Sequence, residues 1–442
     1  MLGMGIIMKV LGIVTEYNPF HNGHAYHIEQ SKALTGCEAV VCVMSGNFIQ
    51  RGEPALINKF ARTEIALNSG VDLVIELPLP YAMSSAEAFG FGAIKILDSI
   101  GIVDCISFGS ENADIDALRI ISDVLVNEPQ EYKDELKKHL SSGLSFPNCR
   151  QNALQKYFEN HPLENFDANI SNFLETSNNI LGIEYLKAII KLKSSIKPFT
   201  IKRIVNNYNS TALTGDISSA TAIRKSIKNI FVEDKNLLFS DIDQGQLPVN
   251  IAQTIPPSSK IIIEREFKSG RGPNSIYQLE NILLAFIRQT SIEKLREVPG
   301  VSEGLEYRIK KAGELSGNLD ELLSNICTKR YTQTRLQRIL FSLLAGFTKA
   351  DMDLFSQYGG PQYSRILGFN KVGRELLSKM KKSSSLPIIT KTADYKNSCN
   401  KLLTRMLEIE AHSTDMYVLG YKNPTFKKAG QEFTQNIIIN KD

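Results

Sequence analysis

Residues 10–24 read VLGIVTEYNPFHNGH, an apolar run that ends in a polar turn rich in histidine. The run over residues 10–15 has the length and apolar character of a buried strand. The turn contains Gly23 and is followed by a helical pattern from about His24. A strand, a polar turn and a helix in this order are typical of the first unit of a parallel α/β sheet.

The same alternation of short strands and longer helices continues along the chain. It predicts strands at residues 39–44, 71–77, 105–108 and 200–205, and helices at residues 58–68, 84–100 and 218–227. Ligands of such sheets bind beyond the carboxyl ends of the strands. The segments to search for chemistry are therefore 16–23, 45–54, 78–81 and 109–112.

The helical periodicity divides the chain into two predicted domains. The first spans residues 1–256, and a short link at 268–273 separates it from the second, at residues 274–442. Residues 275–355 are strongly helical by periodicity, and a terminal strand is predicted at 436–440. We expect an α/β domain followed by a mainly helical region.

Composition excludes several classes of protein. The 442 residues are 43% hydrophobic, which fits a globular chain of two or three domains rather than a disordered tail. Apolar runs are far shorter than the roughly 20 residues that cross a bilayer, and the N-terminus lacks a secretory pattern, so we expect a cytoplasmic protein with no membrane partner. Six scattered cysteines indicate neither disulfides nor a metal site, and the net charge of +4 does not by itself indicate nucleic-acid binding.

Three of the six histidines, His21, His24 and His27, fall within seven residues around Gly23. The helix that starts here directs its free N–H groups and positive dipole end beyond the first strand, which suits a phosphate. His24 and His27 are three residues apart and share one helical face, so both can donate to phosphate oxygens. The spacing does not match a zinc site. The alternative is that these histidines only cap and cover the helix start.

Two further segments carry polar groups that suit phosphate. Residues 217–224 read ISSATAIR, in which Ser219 and Thr221 can bind a pyrophosphate at a helix start and Arg224 supplies positive charge, although an ordinary helix cap explains the hydroxyls equally well. After the second strand, Arg51, Lys59 and Arg62 could reach substrate phosphates. A solvated helix face is the alternative there.

The histidine segment, HNGH at residues 21–24, resembles the H-x-G-H motif of the nucleotidylyltransferase superfamily. The blocks VTEYNPFHNGHAYHI, VMSGNFIQRGEPALINKFAR, GVDLVIELP, FGSEN, SNNILGIEY and SSATAIR together resemble the bacterial tRNA(Met) cytidine acetate ligase family. The resemblance covers most of residues 8–226 closely and the C-terminal half more loosely, and residues 1–7 precede the usual family start. It implies a Rossmann-like nucleotidylyltransferase domain with a parallel sheet.

The resemblance also implies the residues of the site. It assigns ATP to the segment from strand one to the first helix and to three residues farther along the chain. With the hydroxyls of the second phosphate segment, the predicted ATP-binding residues are Val14, Thr15, Glu16, Tyr17, Asn18, Pro19, Phe20, His21, Asn22, Gly23, His24, Ala25, Tyr26, His27, Gly109, Asn178, Arg203, Ser219 and Thr221. The predicted catalytic residues are His24, His27, Lys59 and Arg224. Asn178 as a plain helix cap and Arg203 as an exposed strand charge are the alternatives.

The implied reaction is acetylation of the exocyclic N4 of the wobble cytidine in elongator tRNA(Met). Acetate and ATP first give acetyl-adenylate, and Mg²⁺ is expected to bridge the phosphates although no carboxylate stands out as its ligand. No protein partner is implied. A small-molecule adenylyl- or cytidylyltransferase and a nucleotide-dependent RNA-binding protein without turnover are the alternatives.

For RNA binding, the informative stretch is residues 322–350. It contains Lys329, Arg330, Arg335 and Arg338 and has no acidic residue. A basic amphipathic helix of this kind can follow a phosphate backbone. A solvated face above an apolar one explains the composition equally well, and the family resemblance favours tRNA.

Overall fold

The computed structural model describes residues 8–142, 144, 146–162, 170–203, 217–230, 245–302, 304–328, 331–395 and 398–441. Its strands, numbered in chain order, are β1 (Val10–Thr15), β2 (Ala39–Ser45), β3 (Phe48–Ile49), β4 (Glu53–Pro54), β5 (Leu73–Leu77), β6 (Cys105–Ser110), β7 (Lys197–Lys202), β8 (Ser364–Phe369), β9 (Ile388–Ile389) and β10 (Ile438–Ile439).

The helices that accompany these strands fall into two groups. Between β1 and β7 lie α1 (Asn22–Thr35), α2 (Lys59–Leu67), α3 (Leu79–Ala82), α4 (Ala86–Ser99), α5 (Ile115–Asn127), α6 (Gln130–Ser141), α7 (Phe146–Asn160), α8 (Ser171–Leu174) and α9 (Ser177–Leu192). After β7 come α10 (Ala220–Lys228), α11 (Val249–Ala252), α12 (Pro257–Lys268), α13 (Glu280–Gln289), α14 (Ile292–Glu297), α15 (Leu305–Leu315), α16 (Leu319–Ile326), α17 (Gln333–Ala345), α18 (Lys349–Gln357), α19 (Lys371–Ser383), α20 (Lys401–Val418) and α21 (Gln431–Thr434). None of the helices in the described part of the chain is long and apolar enough to cross a membrane.

The main sheet has the strand order β10-β8-β5-β2-β1-β6-β7, and β9 pairs with β8. β1 lies in the middle and is parallel to β2 and to β6. All strand pairs of this sheet are parallel except β5 with β8. The predicted α/β class, with a Rossmann-like sheet and a helix-rich C-terminal half, is confirmed.

Alternate residues of each central strand face opposite sides of the sheet. Val41 and Val43 of β2 join one apolar core, whereas Val40 and Cys42 join the other. Both faces are covered, so the central strands consist of continuous apolar runs rather than an alternating pattern. The second core includes residues of α1, α2, α10 and α12, and this face therefore supports the loops at the carboxyl ends of β1 and β2.

The sheet draws on both halves of the chain. β8, β9 and β10 lie beyond residue 360, and all six residues of β8 are buried next to β5. β8 was not predicted from the sequence, because it begins with the polar residues Ser364 and Arg365 and leaves only a short apolar run. The division into domains at 1–256 and 274–442 stays a prediction, but the sheet itself crosses that division.

The predicted strand at residues 10–15 is confirmed, and the predicted terminal strand contains the observed β10. The helix expected from about His24 begins at Asn22 instead. The strand expected at 200–205 is observed at Lys197–Lys202, and residues 204–205 lie outside the described residues.

Candidate nucleotide-binding site

The loop between β1 and α1 turns sharply at the carboxyl edge of the sheet. Tyr17 adopts a φ of 46°, in the left-handed region, and a cis peptide bond follows between Asn18 and Pro19. Tyr17, Asn18 and Phe20 are buried. The side-chain oxygen of Asn18 accepts a hydrogen bond from the backbone N–H of Leu56 at 2.7 Å. The loop is thus anchored to the protein on its inner side and holds the first residue of the histidine segment in place.

His21 and His24 form a reciprocal cap at the start of α1. Nδ1 of His21 accepts from the N–H of Gly23 at 3.1 Å, and Nδ1 of His24 accepts from the N–H of His21 at 3.2 Å. The two rings stack with centroids 3.8 Å apart. Since each Nδ1 is an acceptor, the proton of each neutral ring lies on Nε2, which can donate to an anion. The histidines therefore cap the helix and still offer a donor.

Gly23 is needed for this arrangement. A Cβ at this position would lie 2.9 Å from Cε1 of His21, closer than side-chain carbons approach one another. The absence of a Cβ therefore lets the His21 ring fold back over the first turn of the helix.

The three imidazoles are neutral at pH 7. Burial, with the charges of Arg203 and Arg224, lowers the pKa of His21 to about 3. Burial and then the neighbouring His21 lower the pKa of His24 well below its usual value. Burial and Arg203 lower the pKa of His27 to about 4. These side chains can thus serve as hydrogen-bond donors but not as cations.

His27 lies one turn along α1 and faces β6. Its Nε2 is 3.5 Å from the hydroxyl of Ser107, which is itself 2.7 Å from the hydroxyl of Ser31. His27 thus has a contact within the protein, and its catalytic role stays a prediction.

Gly109, Asn178 and Arg203, predicted from distant parts of the chain, lie together. Arg203 donates to the side-chain oxygen of Asn178 at 2.6 Å. A Cβ on residue 109 would lie 3.0 Å from Cγ of Arg203, so the glycine allows the arginine to cross β6. The N-cap of α9 is Thr176 rather than Asn178, and Arg203 is half-buried rather than an exposed strand charge.

Glu111 supports this group, and the sequence analysis did not assign it a role. Its carboxylate accepts from the amide of Asn178 at 2.7 Å and from the hydroxyl of Thr176 at 2.9 Å. The only signal in the sequence was its place in the FGSEN block at the end of β6. Its two partners are more than 60 residues away in sequence, so the residues next to Glu111 do not indicate these contacts.

The ISSATAIR segment brings a second helix start to the same place. The hydroxyl of Ser219 accepts from the N–H of Ala222 at 3.1 Å and caps α10, while Thr221 is exposed. A Cβ on Gly23 would lie 3.7 Å from the side chain of Ile217, so the starts of α1 and α10 are neighbours. The cap predicted for Ser219 is confirmed, and its contact with phosphate stays a prediction.

Arg224 binds the β1–α1 loop. It donates to the carbonyl of Asn18 at 2.7 Å and pairs with the carboxylate of Glu53 at 3.1 Å. Its charge still contributes to the low pKa of His21. Arg224 is therefore close enough to act on His21 electrostatically, although part of its charge is balanced by Glu53.

Lys59 corrects a prediction. Its side chain is fully buried, and Nζ contacts Glu76 at 2.6 Å, Glu432 at 2.7 Å and Glu410 at 3.2 Å. Arg365 also pairs with Glu76, at 2.8 Å, and with Glu432. We call these five residues the buried charge cluster. Lys59 does not reach out to substrate phosphates, because three carboxylates already surround its ammonium group.

Arg62 is also buried, which contradicts both the phosphate contact and the solvated face considered for it. It donates to the carbonyls of Glu16 at 2.6 Å and Ile57 at 3.2 Å, and to that of Gly46. Arg62 therefore links the loop after β1 to the loop after β2 by hydrogen bonds inside the protein. Arg51 of the same segment is exposed.

Several side chains of residues 14–27 are engaged inside the protein. The amide of Asn22 donates to the carbonyl of Gln253 at 2.9 Å, and the hydroxyl of Thr15 lies 3.1 Å from Sγ of Cys42. Glu16 accepts from the N–H of Gln50 at 2.8 Å, and burial raises the pKa of its carboxyl. These contacts position the loop.

The carboxylates near the loop do not form a site that fits Mg²⁺. Among the described residues, the one group of three carboxylates close enough to share an ion is Glu76, Glu410 and Glu432, and Lys59 and Arg365 already fill it. Glu16, Glu53 and Glu111 each bind a different partner. None of the described residues is therefore assigned to Mg²⁺.

The basic stretch predicted to bind tRNA lies mostly on α17. Lys329 and Arg330 lie outside the described residues. Arg335 packs its guanidinium on the ring of Tyr331 at 4.9 Å and donates to the carbonyl of Gly300 at 3.1 Å. Arg338 donates to the carbonyl of Gln50 at 3.3 Å, and burial followed by the charge of Arg335 lowers its pKa. The two arginines are half-buried, and their contact with tRNA stays a prediction.

Comparison with known proteins finds similarity over almost the whole chain. Residues 8–432 match the model of the HIGH Nucleotidyl Transferase family. The chain is 52% identical to the tRNA(Met) cytidine acetate ligase of Acetivibrio thermocellus, over 98% of this chain and 100% of the relative. It is 44% identical to the tRNA(Met) cytidine acetate ligase of Thermoanaerobacter sp., with the same coverage of both chains.

Two solved structures of Thermotoga maritima TmcAL resemble the fold. One contains alpha-thio ATP and superposes with a TM-score of 0.88 at 35% identity. The other is the apo form, with a TM-score of 0.90 at 36% identity. Each comparison covers 98% of this chain and 100% of the other.

Proposed function

The chain belongs to the tRNA(Met) cytidine acetate ligase family, and on that premise we propose that it forms N4-acetylcytidine at the wobble position of elongator tRNA(Met). The substrates are ATP, acetate and the tRNA. The site proposed for ATP is the surface formed by the β1–α1 loop, the starts of α1 and α10, and the group around Arg203.

The proposed reaction has two steps. A carboxylate oxygen of acetate attacks the α-phosphorus of ATP, the bond from that phosphorus to the bridging oxygen breaks, and pyrophosphate leaves with the bond electrons. The cytidine N4 then attacks the acetyl carbon of the adenylate. The carbon–oxygen bond to phosphate breaks, AMP leaves, and N4 loses a proton. Transfer at phosphorus needs positioning and charge stabilisation rather than covalent help from the protein.

The observation that carries this proposal is the histidine cap. The Nδ1 atoms of His21 and His24 are both held by backbone N–H groups, which directs a proton to each Nε2. A neutral imidazole at a helix start suits an ATP phosphate, because its Nε2–H donates a hydrogen bond and the ring keeps the same protonation state around pH 7. Burial keeps them neutral by lowering the pKa of His21 to about 3 and that of His24 well below its usual value.

Positive charge comes from two arginines in this proposal. Arg203 and Arg224 act on His21 from opposite parts of the chain, and Arg203 also acts on His24 and His27. Fixed cations beside donors stabilise charge that develops on a phosphate oxygen. Lys59 has no part in this scheme because it is buried among carboxylates. Mg²⁺, where it accompanies ATP, is bound by the phosphates and by no residue assigned here.

A single labelling experiment tests the proposal. The protein is incubated with ATP, labelled acetate and bulk tRNA, the RNA is digested, and the nucleosides are analysed by mass spectrometry. We expect the label in N4-acetylcytidine, with release of AMP and pyrophosphate. A nucleotide conjugate of a small molecule would instead indicate an adenylyl- or cytidylyltransferase, and binding without any product would indicate an RNA-binding protein.

A second variant, at a histidine outside the proposed site, serves as the control. His24→Ala removes the imidazole Nε2–H and costs only about 1 kcal/mol of helix capping, so it should fold and lose the product. His161 is an exposed histidine on the surface. His161→Ala should retain the product, and equal loss in both variants would contradict the proposed site.

A further inference from the structure

The helical C-terminal region contains a groove of about 610 Å³ that lies outside the proposed ATP site. One face of α15 forms most of the groove. Asn325 of α16 and Tyr331, which precedes α17, complete its lining. The lining residues that matter here are Tyr307, Arg308, Lys311, Leu315, Asn325 and Tyr331.

Two large apolar side chains of the groove are exposed. Tyr307 is 56% exposed and Leu315 is 68% exposed, whereas Leu305 and Ile309 of the same helix are buried. Large exposed apolar groups that lie together mark a binding surface more often than scattered ones do. The outer face of α15 is therefore a candidate contact surface rather than a plain solvated face.

The charge of the groove is positive. Arg308 and Lys311 are exposed, and no carboxylate is among the described residues that line the groove. Nε of Arg308 donates to the carbonyl of Asn325 at 3.1 Å, which fixes the guanidinium at the groove. Glu306 of α15 is buried and paired with Arg296 at 2.9 Å. An anionic ligand therefore meets cations here without meeting a carboxylate of the lining.

Both tyrosines of the groove already contact arginine. The guanidinium of Arg296 lies 5.3 Å from the centre of the Tyr307 ring, and that of Arg335 lies 4.9 Å from the centre of the Tyr331 ring. Tyr331 is buried, whereas Tyr307 is exposed. An exposed aromatic ring beside cations is a group on which an unpaired base stacks while the cations contact the backbone. Interfaces with proteins are instead depleted in lysine, so Lys311 favours a nucleic acid.

The groove is joined to the proposed ATP site by a chain of contacts. Tyr331 contacts Arg335 at the start of α17, and Arg338, one turn later, donates to the carbonyl of Gln50. The N–H of Gln50 in turn donates to Glu16 of the β1–α1 loop at 2.8 Å. The helical rise of about 1.5 Å per residue puts Arg335 and Arg338, both on α17, roughly 5 Å apart along the helix axis.

We propose that this groove binds unpaired nucleotides of the tRNA loop that carries the target cytidine. The proposal rests on the function proposed above and assigns its second substrate a surface. Tyr307 supplies a stacking face, Arg308 and Lys311 contact phosphates, and Leu315 covers the apolar edge of a base. The groove thereby holds the loop while the neighbouring cytidine is presented at the carboxyl edge of the sheet.

The test uses the full chain with Tyr307→Ala, Arg308→Gln and Lys311→Gln combined. The affinity for elongator tRNA(Met) transcript is measured by fluorescence anisotropy at several salt concentrations. We expect the affinity to fall at least about tenfold, because stacking of one base alone is worth roughly 1–3 kcal/mol. The slope of log affinity against log salt should shrink by about 0.7 for each phosphate contact removed from a single strand.

A matched control removes the same charge from another surface. Lys381 and Lys382 are exposed in the last turn of α19, and the double change of both to Gln should leave tRNA affinity near that of the wild type. Both variants should bind ATP as the wild type does, which also shows that they fold. Lys311→Gln alone should give a smaller loss of the same kind.

The outcomes separate this inference from the proposed function. Wild-type tRNA affinity in the triple variant, with normal acetylation, overturns the groove assignment and leaves the proposed function standing; a protein ligand would then be the occupant to seek. Equal loss in the α19 control also overturns it, because the effect would be one of net charge. If the wild type neither binds nor acetylates tRNA, the proposed function fails together with the groove assignment.

Discussion

Two groups of polar side chains lie near the carboxyl ends of neighbouring strands, and they differ in what covers them. In the histidine cap after β1, His21 is buried and His24 is half-buried, and the Nδ1 contacts of both rings leave Nε2 as a donor for a ligand. The buried charge cluster, formed by Lys59, Glu76, Arg365, Glu410 and Glu432, contains residues that look equally suited to binding an anion or a metal, yet its side chains are almost completely buried.

The difference comes from the C-terminal half of the chain. Glu410 lies 351 residues from Lys59 in sequence and Glu432 lies 373 residues away, and both reach its ammonium group. Distant residues contact the histidine cap as well, since Asn22 donates to the carbonyls of Gln253 and Thr254, but His24 remains half-buried. The two regions teach that residue type and strand-end position identify candidates, whereas burial by distant segments decides whether a candidate binds a ligand or stabilises the fold.

The largest expected effect is on stability, and it should arise in the buried charge cluster. Lys59→Ala leaves its three carboxylate partners with one cation fewer, and removing one partner of a buried ion pair costs about 3–5 kcal/mol. We expect the free energy of unfolding, measured by denaturant titration, to fall by that amount. Lys381→Ala, at an exposed position, should change it by less than about 0.5 kcal/mol.

If Lys59→Ala unfolded at the same denaturant concentration as the wild type but lost ATP binding, the comparison would fail. Lys59 would then be a ligand-binding residue, as the sequence analysis first predicted.

The next effect is on catalysis, and it should arise in the histidine cap. His24→Ala removes a donor from the proposed ATP site, and loss of one such donor commonly lowers the rate by about 10²–10³-fold. Stability should fall by only about 1 kcal/mol, the usual value of a helix cap. The rate of tRNA acetylation and the denaturation midpoint, measured on the same sample, check both expectations. Wild-type turnover in the variant would contradict the assignment.

Glu111 gives a smaller effect that sharpens the view of the site. Its carboxylate holds Asn178, which in turn holds Arg203. Glu111→Ala should therefore raise the KM for ATP about tenfold or more, since a hydrogen bond to a charged group is worth about 1.5–3 kcal/mol.

A positioning role also predicts how this loss divides between substrates. Thr176→Val removes only one of the two hydrogen bonds to Glu111 and should cause a smaller rise in the KM for ATP. The KM for tRNA should stay unchanged in both variants. A change in tRNA binding with unaltered ATP binding would contradict the role assigned to Glu111.

Much of the sheet could be predicted from the sequence because its central strands are buried on both faces. Runs such as residues 39–44 have no polar residue, and each is bounded by a turn or a helix pattern. The histidine segment could also be predicted, because the cap is local: its donors and acceptors lie within three residues of one another.

The rest could not be predicted because its partners are distant in sequence. β8 begins with the polar residues Ser364 and Arg365, and Arg365 pairs with Glu432 and with Glu76, which is 289 residues away. Lys59 and Glu111 share this property: each has its role set by residues that only the folded chain brings close. The sequence alone does not show that three carboxylates surround Lys59. It therefore predicts that Lys59 lies on the solvent side of a helix, where it could contact a phosphate.

The smallest expected effect concerns pH, and here the two regions should respond in opposite ways. Burial and the nearby negative charge of Glu76 raise the pKa of Glu410 to about 7. In the unfolded chain this carboxyl ionises near its ordinary value of 4.5, so the stability that comes from its bound proton is fully present below pH 4.5 and is lost as the pH rises through 7. The histidines have lowered pKa values, so their contribution is present above 6.5 and is lost as the pH falls.

Glu410→Gln isolates the first of these effects, because glutamine cannot titrate. The free energy of unfolding of the wild type, relative to that of this variant, should be highest at low pH. It should fall by about 1 kcal/mol between pH 6 and pH 7, because one proton bound only in the folded state changes this free energy by about 1.4 kcal/mol per pH unit. Denaturant titrations of both proteins at each pH measure it. The terminal phosphate of ATP also ionises in this range, so the test compares the ATP affinity of the wild type with that of His24→Ala at each pH. The ratio of the two affinities should stay flat, because burial lowers the pKa of His24 well below its usual value and keeps the imidazole neutral. A step in that ratio near pH 6.5 would show that His24 titrates as an exposed imidazole, and it would contradict the contrast between the buried charge cluster and a neutral histidine cap.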